Sequence, residues 1–270
     1  MSGNSSVAII GVGAMGQALL SGLRSAGWDD DDLALCVRDS ERAADLAARN
    51  HCLITTDPAE AIAGRQAIVI AVKPRDVIGL LEQLAGHVEP GQVLLTIAAG
   101  VTTATFEKFL GDVAVVRAMP NTPALVGEAV TGIAAGAYSG LSELDLARDV
   151  LGAVGTVRMM DESLLDAVTA VSGTGPAYVF LMAEALTEAA LREGMPRDIA
   201  ERFVSQTIRG AGHLLTDTGR SPTELRAQVT SPGGTTAAAM HVLEERGFRA
   251  LVEDAVRAAA RRASELGEQG

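Results

Sequence analysis

The run Gly11-Val12-Gly13-Ala14-Met15-Gly16 follows the apolar stretch Val7 to Ile10 and opens the helical pattern Gln17-Ala18-Leu19-Leu20. Few folds use glycines in that order between a strand and a helix, with another strand at the spacing of a βαβ unit. The first glycine permits a tight turn, the second lets the backbone approach a pyrophosphate, and the third allows the helix to close on the strand. The helix start then offers unpaired amide donors to the phosphates. Gly11, Val12, Gly13, Ala14, Met15 and Gly16 are therefore expected to bind a dinucleotide.

The rest of the N-terminal half continues the pattern. Apolar runs at Val7 to Ile10, Leu33 to Val37, Ala67 to Val72, Val93 to Ala98 and Ala114 to Met119 alternate with helical segments. Their near-continuous apolar character suits strands covered on both faces, as in an α/β Rossmann domain with a doubly wound, mostly parallel sheet. Thr131 to Ala137 and Gly155 to Met160 are expected to extend the sheet at its edge. After Asp161 strand-like runs give way to Ala-, Leu- and Glu-rich stretches. The boundary is placed there: 1–160 as a dinucleotide-binding domain, 161–270 as an all-α domain. The segment Pro176 to Glu193 starts with proline and stops at Gly194, and further helices are expected over Arg197 to Asp217, Pro222 to Val229, Thr235 to Arg246 and Phe248 to Leu266. The first of these is apolar on more than one face, too much for a small helical domain to hide alone, which favours homo-oligomerisation.

Composition narrows the partners. With 48% hydrophobic and 21% charged residues the chain is expected to fold unaided. A net charge of -12 without clustered Lys or Arg argues against nucleic acid. It also means that an anionic cofactor must be held by local donors. Cys36 and Cys52 sit in apolar stretches that read as strands, with no metal-ligand or disulfide spacing, so they read as buried thiols and no metal is expected. The N-terminus lacks a basic region followed by a long apolar run, and glycines interrupt each candidate span, so no membrane segment is expected and a cytoplasmic location is.

The end of the second strand selects the dinucleotide. Asp39 suits a ribose 2′-OH and hence NADH, whereas Arg38 and Ser40 suit a 2′-phosphate. A guanidinium beside a hydroxyl makes a plausible phosphate clamp, so NADPH is the expected cofactor with NADH as the alternative. Ala71-Val72-Lys73-Pro74 and Ala98-Ala99-Gly100 end two more strands, at the carboxyl edge where open α/β sheets bind ligands. Lys73 either reaches a ribose or phosphate or is merely exposed.

In the helical half Val229-Thr230-Ser231-Pro232-Gly233-Gly234-Thr235-Thr236 precedes a helix. Ser and Thr there read as caps, while the paired glycines expose amides suited to a small carboxylate. This stretch, preceded by Leu225-Arg226-Ala227-Gln228 and followed by His241-Val242-Leu243-Glu244, resembles the signature of pyrroline-5-carboxylate reductases. Ala71-Val72-Lys73-Pro74, Ala98-Ala99-Gly100-Val101, Arg117-Ala118-Met119-Pro120-Asn121-Thr122-Pro123 and Ser172-Gly173-Thr174-Gly175-Pro176-Ala177-Tyr178 resemble family segments in the same order.

The resemblance implies reduction of 1-pyrroline-5-carboxylate to L-proline, the last step of proline biosynthesis, by a Rossmann domain joined to a helical substrate-binding and dimerisation domain. It implies a homodimer, or a larger ring of dimers. It implies that Ser231, Gly233, Gly234, Thr235 and Thr236 hold the substrate carboxylate, with the Thr236 hydroxyl near the ring nitrogen as the catalytic contact. Met119, Pro120 and Asn121 would border the nicotinamide, and Glu162 would approach the substrate. Gln228 stands where the family commonly has Asn.

Hydride transfer to a C=N bond is mostly a matter of orientation and water exclusion, so little acid–base machinery is needed. His51, His87, His213 and His241 read as structural residues. Related two-domain reductases of hydroxyacids place a lysine in the helical half, and no lysine follows Lys108.

Overall fold

The computed structural model describes residues 5–268. They form two compact units, one built from the residues up to Thr174 together with those from Ala258 onward, the other from Gly175–Arg257.

The first unit is organised by a sheet of eight strands among the described residues: β1 (Val7–Ile10), β2 (Leu33–Cys36), β3 (Leu53–Thr55), β4 (Ala67–Ile70), β5 (Val93–Thr96), β6 (Ala114–Met119), β7 (Ala129–Ala135) and β8 (Gly155–Met159). The order is β3-β2-β1-β4-β5-β6-β7-β8. All neighbours are parallel except β6 and β7, which pair antiparallel with Met119 opposite Gly132. The mostly parallel sheet expected from the sequence is present, and the edge runs expected as extensions are β7 and β8. The strand β3 adds an edge at the apolar stretch beside Cys52 that reads as a strand.

Strand β1 shows how the pattern builds the core. Val7 and Ile9 face Leu19 and Leu23 of helix α1 (Ala14–Ser25), while Ala8 and Ile10 belong to the opposite cluster with Leu81, Leu84 and Phe106. Because successive side chains leave opposite faces of a strand, an unbroken apolar run requires a helical layer on each side. Helix α4 (Val77–Leu84) and helix α5 (Thr103–Leu110) cover the second face. Helix α2 (Ser40–Ala47), helix α3 (Pro58–Ile62) and helix α6 (Leu141–Gly152) complete the layers. The chain leaves β1 toward β2 and leaves β4 in the opposite direction toward β5, so the connections after these neighbouring strands diverge and open a crevice at their carboxyl ends. After β8, helix α7 (Leu165–Val168) runs into a π-helical turn at Thr169–Gly173.

The second unit holds α8 (Gly175–Arg192), α9 (Arg197–Asp217), α10 (Pro222–Gln228), α11 (Thr235–Glu245) and the first half of α12 (Phe248–Glu268). Within Gly175–Arg257 only Thr187 and Ala200 are buried, while Phe180, Leu181, Phe203 and Leu251 are exposed. A unit with so little core in one chain needs another chain to cover it. The helical run Glu162–Arg192 is, by length and composition, long and apolar enough to cross a membrane. The run is not one regular helix: the π-helical turn ends at Gly173 and a bend at Thr174 precedes α8, so glycines interrupt it as expected.

Candidate dinucleotide and substrate site

The three glycines of the first turn do three different jobs. Gly11 has φ +96°, and a Cβ there would lie 2.7 Å from the carbonyl carbon of Ala71 at the end of β4. The Gly11 amide donates to the Cys36 carbonyl at 2.9 Å, and the Ala71 amide to the Ile10 carbonyl at 2.8 Å, so the turn is stitched to both neighbouring strands. A Cβ on Gly16 would collide with the Gly11 carbonyl oxygen, which is why the helix can start so close to the turn. Around Gly13, by contrast, there is no heavy atom within 4 Å of a built Cβ. Gly13 is also the N-cap of α1, where no side chain accepts from the first-turn amides and no acidic residue follows. Open space beside uncapped amides fits a pyrophosphate.

Gly13, Ala14 and Met15 line one end of a cleft of about 380 Å³. The opposite walls come from Ala71, Val72, Lys73 and Pro74 after β4, from Ile97, Ala98 and Ala99 after β5, and from Met119, Pro120 and Asn121 after β6. The structure thus brings together, within the first unit, most of the residues expected to contact the dinucleotide. Thr122, Leu125, Ile97 and Gly173 also line the cleft and were not anticipated as site residues. Ile97 and Thr122 adjoin expected residues, and Gly173 lies in a family-like segment. Leu125 carries no signal in the sequence.

Gly173 admits Met119: a Cβ there would stand 2.7 Å from the Met119 terminal methyl. Asn121 is 8% exposed and works as a strut, its Nδ2 donating to the Ser172 carbonyl at 3.1 Å and its Oδ1 accepting the Val130 amide at 3.0 Å. A π-helical turn beside a cleft is a frequent companion of function, since it widens the helix locally.

The end of β2 stands apart from the cleft lining. Asp39 is the N-cap of α2, and its Oδ1 accepts the Arg42 amide at 2.7 Å. Ser40 begins that helix. Arg38 is almost fully exposed, with Nη1 3.7 Å from Asp76 Oδ1. Of the three residues that bear on dinucleotide choice, the acid is thus engaged by its own helix and the guanidinium is exposed beside Asp76.

Glu162 has its carboxylate occupied within the first unit. Oε1 accepts the Thr103 amide at 3.0 Å and Arg117 Nη1 at 3.2 Å, and Oε2 accepts the Thr103 hydroxyl at 2.8 Å. Gly100, with φ +78°, turns the chain between Ala99 and α5 without lining the cleft.

The turn at Ser231 to Thr236 belongs to the second unit. Gly233 has φ +70°, the Gly234 amide donates to the Ser231 carbonyl at 3.0 Å, and Gly234 is the N-cap of α11 without a side-chain acceptor. Thr235 and Thr236 are the first two residues of that helix. A Cβ on Gly234 would meet Ser231 Oγ, so a larger residue there would turn the serine hydroxyl away. Glu244 braces the surroundings: it accepts from Arg226 at 3.2 Å and from Arg249 at 2.7 Å, and the Arg249 guanidinium lowers its pKa. Gln228, with Oε1 on Arg220 at 2.8 Å, is held at the surface of the same unit. Uncapped amides and two hydroxyls at one helix start suit a small carboxylate.

Comparison with known proteins agrees with both halves. The family description "Pyrroline-5-carboxylate reductase dimerisation" matches residues 162–266, and "NADP oxidoreductase coenzyme F420-dependent" matches residues 6–100. Pyrroline-5-carboxylate reductases of Mycobacterium tuberculosis and Pseudomonas aeruginosa are 42% and 40% identical, over 98% and 97% of this chain and 97% of each relative. The structure of a pyrroline-5-carboxylate reductase from Coxiella burnetii superposes with a TM-score of 0.92 at 35% identity, covering 97% of this chain and 98% of that one. A Plasmodium falciparum pyrroline carboxylate reductase, solved with NADP bound, gives 0.86 at 27% identity over 98% of each chain. The dimerisation match covers the helices whose apolar faces are exposed in one chain, which makes the protein a subunit of an oligomer. Related at this level over nearly its whole length, the chain belongs to the pyrroline-5-carboxylate reductase family of NAD(P)-dependent oxidoreductases.

Proposed function

We propose that the protein reduces 1-pyrroline-5-carboxylate to L-proline with NADPH, as the last step of proline biosynthesis in the cytoplasm. The observation that carries the reading is the open space at Gly13, between uncapped helix amides and a cleft at the carboxyl edge of the sheet. When bound, the reduced dinucleotide supplies the hydride for the imine carbon. The amides of Gly13, Ala14 and Met15 hold the pyrophosphate, with Gly11 and Gly16 shaping the turn and Val12 between them. Lys73, with Ala71, Val72 and Pro74, borders the ribose, and Ala98, Ala99, Met119, Pro120 and Asn121 border the nicotinamide, with Gly100 setting the turn behind Ala99.

Residues 161–270 form the substrate and dimerisation domain in this reading, and 1–160 the cofactor domain. Ser231, Gly233, Gly234, Thr235 and Thr236 hold the carboxylate. The substrate enters as its protonated imine, and the Thr236 hydroxyl hydrogen-bonds the ring nitrogen, which keeps its proton as the C=N bond becomes C–N. Hydride addition then leaves a neutral amine with no further acid required. Preference for NADPH is supported by Asp39 being engaged by the Arg42 amide while the exposed Arg38 guanidinium, held only by a 3.7 Å contact to Asp76, can meet a 2′-phosphate. The working assembly is a homodimer or a ring of dimers.

The test is to mix purified protein with 1-pyrroline-5-carboxylate and either dinucleotide, following the nicotinamide absorbance. Loss of absorbance with proline formed in equal amount supports the activity, and faster turnover with NADPH at subsaturating cofactor supports the preference. Tight cofactor binding without turnover would overturn the assignment.

A further inference from the structure

The chain between β5 and α5 walls the cleft, and within it the side chains of Ala98 and Val101 are pinned to the core by packing alone. Ala98 and Ala99 line the cleft, and Gly100 turns with φ +78°. Its polar hold comes from far along the sequence. At its end, the Thr103 amide and hydroxyl both meet the Glu162 carboxylate, at 3.0 and 2.8 Å across 59 positions of chain. Near its middle, a Cβ on Gly267 of α12 would stand 2.8 Å from the Gly100 carbonyl oxygen, so helix backbone rests on the turn.

Glu162 is itself fixed from beneath. Arg117 of β6, only 7% exposed, gives Nη1 to Glu162 Oε1 and Nη2 to Asp166 Oδ1, each at 3.2 Å. A guanidinium buried to this extent needs its carboxylate partners. The pair is therefore a rigid post, standing on the sheet and reaching to the first residue of α5. All four residues belong to the first unit.

We propose that Glu162 is a positioning residue for the nicotinamide half of the cofactor, acting through Thr103 to set the connection Ala98 to Thr103 as a wall of the cleft. This rests on the reading that the cleft receives that half. Without Glu162 the Thr103 amide loses its acceptor, Arg117 keeps only Asp166, and the connection is left to the packing of Ala98 and Val101. The consequence is a loosened cofactor, with substrate affinity untouched.

The test compares Glu162→Ala, the milder Thr103→Val, the double variant and Gly13→Val, reading NADPH dissociation constants from nicotinamide fluorescence alongside steady-state kinetics and melting temperature. Expected are a roughly tenfold rise in the NADPH Kd for Glu162→Ala, a smaller rise for Thr103→Val, and a double variant no worse than Glu162→Ala. The KM for the imine at saturating cofactor should stay at the wild-type value. A raised imine KM with unchanged NADPH Kd would assign Glu162 to the substrate and overturn the proposal. A lowered melting temperature with Kd and kcat intact would reduce it to a structural brace and equally overturn it. If Gly13→Val leaves the NADPH Kd unchanged, the cleft is not the cofactor site, and that earlier reading fails separately.

Discussion

A Cβ atom on Gly11 would stand 2.7 Å from the carbonyl carbon of Ala71, so the first turn and the end of β4 are in backbone contact. The positive φ of +96° adds strain for any other residue. Gly11→Ala is expected to destabilise the fold by roughly 2 kcal/mol or more, through conformation and contact together. Gly13→Val meets open space and an extended φ, and should cost only about 1 kcal/mol as a poorer N-cap. Its effect should fall on the cofactor instead. Urea unfolding and NADPH fluorescence titration separate the two, and a Gly13→Val protein that binds NADPH normally contradicts the assignment.

Asp39 and Arg38 are adjacent but should respond differently. Asp39 caps α2 through the Arg42 amide, so Asp39→Ala should lower stability by about 1 kcal/mol while Asp39→Asn preserves it. Neither should alter the preference between the two dinucleotides by more than about twofold, whereas Arg38→Ala should weaken NADPH roughly tenfold and leave NADH unaffected. The ratio of kcat/KM for the two cofactors measures this. A large change in Asp39→Asn would return the acid to the ribose.

How much of this was legible beforehand differs element by element. Strands β1, β4 and β5 announce themselves because both faces are covered, leaving an unbroken apolar run. Strand β3 has only three residues, one of them exposed, and exists because β2 offers it a parallel edge. The apolar stretch at Cys52 marks a strand there, but not its place beside β2. The glycine turn was readable as a binding loop, since each glycine answers a steric demand set by the strand and helix around it. Leu125 and the Glu162 carboxylate were not placed by the sequence, because their positions depend on contacts across the sheet. Asn121 and Asp39 were expected at the cofactor; the structure gives Asp39 the N-cap role its place before α2 also suits, and gives Asn121 backbone partners that no residue pattern reveals.

Cys36 offers a prediction in pH. Burial, with Asp57 and Glu60 adding to it, pushes its thiol up to about 11. The unfolded chain titrates near the ordinary thiol value of about 8.5. Between these values the unfolded chain has lost a proton that the folded chain keeps, so stability falls as pH rises. The native thiol should react slowly with disulfide reagents at pH 8, and unfolding free energy should decline by up to about 1.4 kcal/mol per pH unit across the window. Cys36→Ala should flatten that decline despite a lower starting stability. An unchanged slope in Cys36→Ala would assign the loss to other groups.

Thr131 sits on β7 fully buried, and its hydroxyl has no hydrogen-bond partner among the described residues. A hydroxyl taken from water without a partner costs about 1 kcal/mol or more, and valine has nearly the same shape. Thr131→Val should therefore stabilise the protein by about 1 kcal/mol with cofactor affinity unchanged. A destabilised variant would show that the hydroxyl is satisfied in solution.

The apolar faces of the second unit carry the last prediction. Phe180 and Leu181 of α8, Phe203 of α9 and Leu251 of α12 are all more than half exposed, while only Thr187 and Ala200 are buried across Gly175–Arg257. Helices of this composition gain little by packing within one chain, so their stability must come from a partner. A charge at the centre of such an interface is desolvated without compensation. Phe180→Glu and Leu251→Glu should each shift the protein to monomers in light scattering. They should also lower helix content by circular dichroism, because the freed unit has no core to fall back on. The wild-type melting temperature should rise with protein concentration, as for any assembly in which folding and association are linked. If both variants keep the wild-type mass and helicity, these faces are not what joins the subunits, and the shortage of core in the second unit must be made good by the chain itself.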